Sequence, residues 1–237
     1  RILAFMGAKG GVGTTTVAVN VAALLAARGE SVSLVELRPG LGTAGLLLKL
    51  QPEADLGGLL AKGPAEITSR DIEGVLVRHA SGLRLLAAPR MADAWGEISA
   101  EFVEVLLPEL VTSHDYVVLD LAPAWSGANR AALNHACYTA VVTEPEQVSL
   151  QCARLTLENL RRWGIMGDLV GLVVVNHGTS PTPLTLSMIR SALSTDVAGV
   201  IPPCRELCTL AGREGVPLCL LQPEHLASAA FGELLEA

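Results

Sequence analysis

Lysine is almost missing from this chain: 237 residues hold three, Lys9, Lys49 and Lys62. Seventeen basic residues face twenty-four acidic ones, for a formal net charge of −7. Nonspecific nucleic-acid binding relies on lysines and arginines set against phosphates, so no nucleic-acid partner is expected. The most basic short stretch, Arg154 to Arg162, is explained by a helix face exposing Arg161 and Arg162. Aromatic residues make up 3% of a sequence that is half hydrophobic, so Leu, Val and Ala must form the core. No apolar run reaches the ~18 residues of a membrane span. No basic segment leading into an apolar one opens the chain, so no signal peptide is expected. Cysteine is sparse and odd in number: Cys137, Cys152, Cys204, Cys208 and Cys219. That fits buried or spectator thiols in a reducing cytoplasm. Cys204 and Cys208 stand one helical turn apart, half of a metal site, with no second pair or nearby histidine to complete it.

What the sequence does contain is a regular alternation. Strand-like apolar runs fall at 2–6, 31–36, 83–87, 116–120, 139–143, 169–175 and 197–201. Helical stretches lie between them at 15–28, 98–112, 127–136, 147–163, 183–193, 204–213 and 224–235. This order predicts an α/β fold: a mostly parallel twisted sheet of seven to eight strands with helices on both faces. The Pro/Gly-rich joints are too short to divide the chain, so 1–237 reads as a single domain. Ligands of such sheets bind beyond the carboxyl ends of the strands.

The most telling segment follows the first strand. Residues 7–16 are Gly-Ala-Lys-Gly-Gly-Val-Gly-Thr-Thr-Thr, between the apolar run Ile2–Met6 and an alanine-rich helix that stops at Arg28-Gly29. A strand, a glycine-rich turn and a helix in that order aim backbone N–H groups and the positive helix end at one point. Gly10, Gly11 and Gly13 permit positive φ and leave room for a phosphate. Thr15 is placed to offer its hydroxyl to Mg²⁺, and Thr16 sits one residue further into the helix. The general phosphate-loop pattern is G-x-x-x-x-G-K-[ST]. Here Ala8 stands for its first glycine, Gly13 matches the second, and Thr14 replaces the lysine. The alternative is a glycine-rich turn with no ligand.

Lys9, just before the glycine pair, makes K-G-G-x-G-[K]-T-T, which resembles the deviant Walker A motif of MinD/ParA-class P-loop ATPases. The resemblance implies a MinD-like P-loop fold, ATP or ADP with Mg²⁺, and a homodimer joined through the nucleotide face. Lys9 would then reach the phosphates held by the partner subunit. Lys9, Gly10, Gly11, Val12, Gly13, Thr14, Thr15 and Thr16 would line the nucleotide. Tyr116-Val117-Val118-Leu119-Asp120-Leu121-Ala122-Pro123 resembles Walker B, in which Asp120 joins Thr15 at the metal; an aspartate closing a strand also serves as a helix cap. Ser31 to Leu46 resembles the strand and switch I of this class, with Glu36 and Arg38 at its two aspartate positions. An arginine cannot accept a proton from the attacking water, so part of the hydrolytic machinery is replaced. Val173-Val174-Val175-Asn176 resembles the strand whose asparagine reads adenine, and Pro202 and Pro203 the loop that covers the base. Asn176 before Gly178 also fits a turn.

Further stretches resemble the ATPase domain of CpaE/TadZ pilus-assembly proteins: 82–89 with Ala92-Asp93-Ala94 after it, Glu144-Pro145-Glu146, and 211–218. That family carries a receiver-like domain before the ATPase domain, which suits a fragment beginning at Arg1. The implied function is an ATP-binding, dimerising localisation factor for tight-adherence (Flp-type) pili, with weak or no hydrolysis. It would work in the cytoplasm, at a cell pole or on the inner membrane face through pilus secretion and assembly partners. Alternatives are a working ATPase, a nucleotide-free scaffold, or a DNA-partition or septum-placement ATPase. No lysine or arginine follows Arg213, so no membrane insertion through a basic terminal helix is expected. Arg38 is expected to swing over the loop and replace the charge absent at Thr14, or else to stay solvated.

Overall fold

The computed structural model describes residues 1–91, 96–178 and 183–236. The Ala92-Asp93-Ala94 stretch lies outside the described residues.

All seven apolar runs are strands. They are β1 (Ile2–Gly7), β2 (Val32–Leu37), β4 (Arg84–Leu86), β5 (Tyr116–Leu121), β6 (Tyr138–Thr143), β7 (Val170–Val175) and β8 (Val197–Ile201). One strand was not foreseen: β3 (Val77–Arg78) has two residues, too few to leave a periodic signal. The eight form one sheet in the order β3-β4-β2-β5-β1-β6-β7-β8. Among the described residues only the β3–β4 pairing is antiparallel. Every residue of β2 and of β7 is buried, as parallel strands covered on both faces require.

The long helices fall close to their expected places: α1 (Thr14–Ala27), α5 (Ala100–Ser113), α6 (Gly127–His135), α7 (Gln147–Arg162), α8 (Leu186–Leu193), α9 (Arg205–Glu214) and α11 (Leu226–Leu234). Four short ones were missed: α2 (Ala44–Leu47), α3 (Leu56–Leu60), α4 (Ser69–Val75) and α10 (Leu218–Leu221). A short segment shows little helical period. For α4 a signal existed in the capping box, where Thr68 and Asp71 satisfy each other's backbone N–H.

The sheet divides the core in two. On one face α5, α6 and α7 bury Phe102, Leu106, Leu110 and Leu157 against Val117, Leu119 and Val141. On the other, α1 buries Val17, Val21 and Leu25 with Phe5, Leu34, Val118 and Phe231. Each such side chain contributes roughly 1.5–3 kcal/mol. Because α1 is buried along most of its length, its first turn is held firmly over the sheet's carboxyl edge. Register then sets what meets there: Phe5 pairs with Asp120, Glu36 with Asp120, and Gly7 with Val142.

Candidate nucleotide site

The turn between β1 and α1 closes tightly. The Ala8 N–H donates to Val142 C=O at 2.8 Å. Gly11 and Gly13 take left-handed φ values of 82° and 90°, which side-chain-bearing residues rarely adopt. A Cβ on Gly7 would lie 2.6 Å from Thr14 Oγ1 and 2.8 Å from the Lys9 carbonyl oxygen. Thus Thr14, in the lysine position, turns its hydroxyl inward against Gly7, and Val12 is buried beside it. Helical bonding resumes with Val17 N–H to Gly13 C=O. The N–H groups of Thr14, Thr15 and Thr16 therefore have no helical acceptor, and exposed Gly10 and Gly11 form the rim above them. This is an anion cradle without the usual lysine.

Lys9 is held within its own chain. Its ammonium bonds the Glu144 carboxylate and lies 3.4 Å from Glu146 Oε1. The hydrogen bond to Glu144 raises the Lys9 pKa, against a smaller opposing effect of burial. Glu144 follows β6, and its N–H donates to Ser149 Oγ at 2.9 Å. His177 stands on the other side, 3.5 Å from Glu144 Oε1 and facing Gly13. No local motif marks His177, although it directly follows Asn176.

Asp120 is fully buried at the end of β5. Thr15 Oγ1 donates to Asp120 Oδ2 at 2.7 Å. The Arg38 guanidinium grips the same carboxylate at both oxygens, Nη2 to Oδ1 at 2.7 Å and Nε to Oδ2 at 3.2 Å. Nη2 also reaches Thr15 Oγ1 at 3.3 Å. Arg38 is therefore neither solvated nor turned toward Thr14. It follows β2, and the Glu36–Asp120 register brings it to the buried aspartate. Thr15 and Asp120 do come together as expected for a metal site, but the residues present do not fit Mg²⁺. Mg²⁺ demands near-octahedral oxygen ligands at 2.0–2.1 Å, and here a guanidinium already uses both carboxylate oxygens and the hydroxyl.

Glu36 faces elsewhere. Its buried carboxylate accepts the N–H of Ala44 at 2.7 Å and of Ala88 at 3.2 Å. Burial raises its pKa, partly offset by these donors. A Cβ on Gly42 would lie 2.3 Å from Glu36 Oε1. Glu36 thus fastens the segment after β2 to the end of β4, and its carboxylate oxygens accept backbone N–H groups.

On the far side of α1, a cavity of about 200 Å³ is lined by Thr16, Asn176, Ile201, Cys204, Arg205 and Cys208, among others. Asn176 Oδ1 accepts the Gly178 N–H at 2.8 Å, so its carbonyl shapes the turn. Pro202 is half-buried after β8. Exposed Pro203 packs over Gly178, 3.4 Å from where a Cβ would stand. Cys204 and Cys208 line the cavity with their sulfurs 3.6 Å apart. Their mutual hydrogen bond pushes Cys208 down to about 7 and Cys204 up. The sequence showed the one-turn spacing of these thiols but not the cavity they border.

A family model described as "AAA domain" matches residues 1–163. The septum site-determining protein MinD of Thermotoga maritima is 25% identical over 228 residues, covering 93% of this chain and 81% of its own. The chromosome-partitioning ATPase Soj of Thermus thermophilus is 32% identical over 183 residues, covering 76% of this chain and 65% of its own. In structure, a ParA family ATPase from Chlorobium tepidum matches with a TM-score of 0.88 at 18% identity, over 100% of this chain and 99% of the other. MinD from Pyrococcus horikoshii complexed with Mg-ADP matches at 0.85 and 19% identity, over 100% and 94%. With the family model matching more than half of the sequence, this chain belongs to the AAA-domain family and is a MinD/ParA-class P-loop protein.

Proposed function

We propose that this protein binds ATP and ADP and works as a nucleotide-controlled homodimer that hydrolyses ATP very slowly or not at all. The observation that carries this reading is the loop itself: an intact backbone cradle with an inward-turned threonine where a lysine would stand. A charge-assisted hydrogen bond to phosphate is worth roughly 1.5–3 kcal/mol. Its loss weakens binding roughly 10- to 150-fold, which leaves recognition while removing a main contributor to catalysis. At the second catalytic position Arg38 cannot accept a proton. A bound state that persists is sufficient for a switch, because the ligand only has to favour one conformation.

The dimer is supported by the rim of the site. Lys9 follows β1, and three exposed apolar side chains follow neighbouring strands at the same edge: Leu41 after β2, Trp125 after β5 and Val148 after β6, at 57%, 45% and 65% exposure. Side chains of this kind suit an interface. Among the described residues no helix is long and apolar enough to cross a membrane.

The cellular role we favour is placing or assembling tight-adherence pili, which rests on the resemblance of 82–89, 144–146 and 211–218 to the CpaE/TadZ branch. Septum placement or DNA partition is the second reading, favoured by the similarity to MinD and Soj. The net charge of −7 weighs against the DNA role. Calorimetry with ATP and ADP, paired with light scattering, tests the switch. Absence of binding at millimolar nucleotide leaves only a scaffold. A gel shift at two salt concentrations tests the partition role, because phosphate contacts give strongly salt-dependent binding.

A further inference from the structure

We infer that Arg38 is a built-in cation that takes the place of the divalent metal, so that this site accepts nucleoside di- and triphosphates free of metal. The inference rests on the nucleotide-binding reading and specifies the form of its ligand. Two observations carry it. Asp120 is fully buried and is paired with one guanidinium through two hydrogen bonds, the fork geometry that arginine matches to a carboxylate. Thr15 gives its hydroxyl proton to Asp120 and receives a hydrogen bond from Arg38. Its oxygen is thereby committed on both sides.

A metal entering here would have to displace Arg38 from both of its partners and then sit beside its positive charge. The same arginine lies one hydrogen bond from Thr15, in the first turn of the helix that cradles the phosphate. It therefore supplies positive charge at the edge of the phosphate site, where a phosphate-bound Mg²⁺ would otherwise neutralise it. Arg38 acts as a specificity-determining residue that trades metal dependence for a fixed charge.

The test is calorimetric titration of ATP into the wild-type protein and into Arg38→Ala, each in EDTA and in excess Mg²⁺. The wild type is expected to bind at least as tightly in EDTA as in Mg²⁺. Arg38→Ala is expected to lose about tenfold or more in EDTA, as for one lost charge-assisted bond, and to recover on addition of Mg²⁺. Melting without nucleotide gives an independent readout. Mg²⁺ should raise the melting temperature of Arg38→Ala relative to a salt of matched ionic strength, and leave the wild type unmoved. If Arg38→Ala fails to fold, Arg38→Gln, which removes the charge but keeps a polar side chain that can donate to Asp120, should show the same gain of metal response. Wild-type affinity that rises about tenfold or more with Mg²⁺ overturns the inference alone. Failure of the wild type to bind ATP in either buffer overturns the nucleotide reading and this inference together.

Discussion

Lys9, on the loop after β1, is bound to Glu144, which follows β6 in the same chain. A lysine that must contact a partner's nucleotide has first to leave this carboxylate. The pair is partly exposed, at 30% and 14%, so after allowance for solvent the contact is worth about 1 kcal/mol. Glu144→Gln should therefore strengthen ATP-dependent dimerisation about fivefold, measured by light scattering across a protein dilution series. Lys9→Ala should abolish that dimer while leaving monomer affinity for ATP within a few-fold. A dimer that survives Lys9→Ala removes the trans role.

Thr14→Lys restores the side chain that the loop lacks. Affinity for ATP should rise roughly 10- to 150-fold, the range set by one charged hydrogen bond. Turnover should stay very slow, because Arg38 still occupies the second catalytic position. Calorimetry and phosphate release measured on the same variant separate these two effects.

Gly42→Ala places a methyl group against the pinned Glu36 carboxylate. Overpacking of this kind costs about 1–3 kcal/mol, read as a lower melting temperature or urea midpoint. Glu36 also gives a pH signature. Its pKa is raised by burial above the ordinary 4.5, so the folded state holds this proton more tightly than the unfolded state. The resulting stability is fully present below about 4.5 and is lost as pH rises through the folded value. Wild-type stability minus that of Glu36→Gln should therefore grow as pH falls from neutral toward 4.5. A difference that shrinks on acidification contradicts this placement of Glu36.

Cys208 should alkylate with a pH midpoint of about 7, held down by its bond to Cys204. The thiolate is the nucleophile, so iodoacetamide labelling followed by mass spectrometry across pH reads it directly. Because both thiols line the cavity beside Asn176, ADP should slow the labelling. Unchanged labelling with saturating ADP would place the base elsewhere.

The strands were legible because short, mostly apolar runs such as 31–36 and 169–175 are rich in Val and Leu and too short for helices, and they lie within a residue or so of the observed Val32–Leu37 and Val170–Val175. The phosphate loop was legible because Gly11 and Gly13 mark their own backbone geometry. The short helices between β2 and β4 were not, since four to seven residues hold too little periodicity. Arg38 was misplaced for a different reason. Its partner lies 82 residues away, and only the β2–β5 register brings the two together. The same holds for Lys9 and Glu144, which are separated by 135 residues. Glu144 belongs to the Glu144-Pro145-Glu146 stretch, but nothing local marks it as the lysine's partner.

The most direct test of a site that recognises ATP without cleaving it is a single-turnover experiment. Protein in excess over ATP labelled at the γ-phosphate would be sampled over hours, in EDTA and in Mg²⁺. The expected result is labelled ATP that is bound and recovered intact. Release of phosphate approaching the roughly 1–100 s⁻¹ of kinases would contradict it and make this protein a working ATPase.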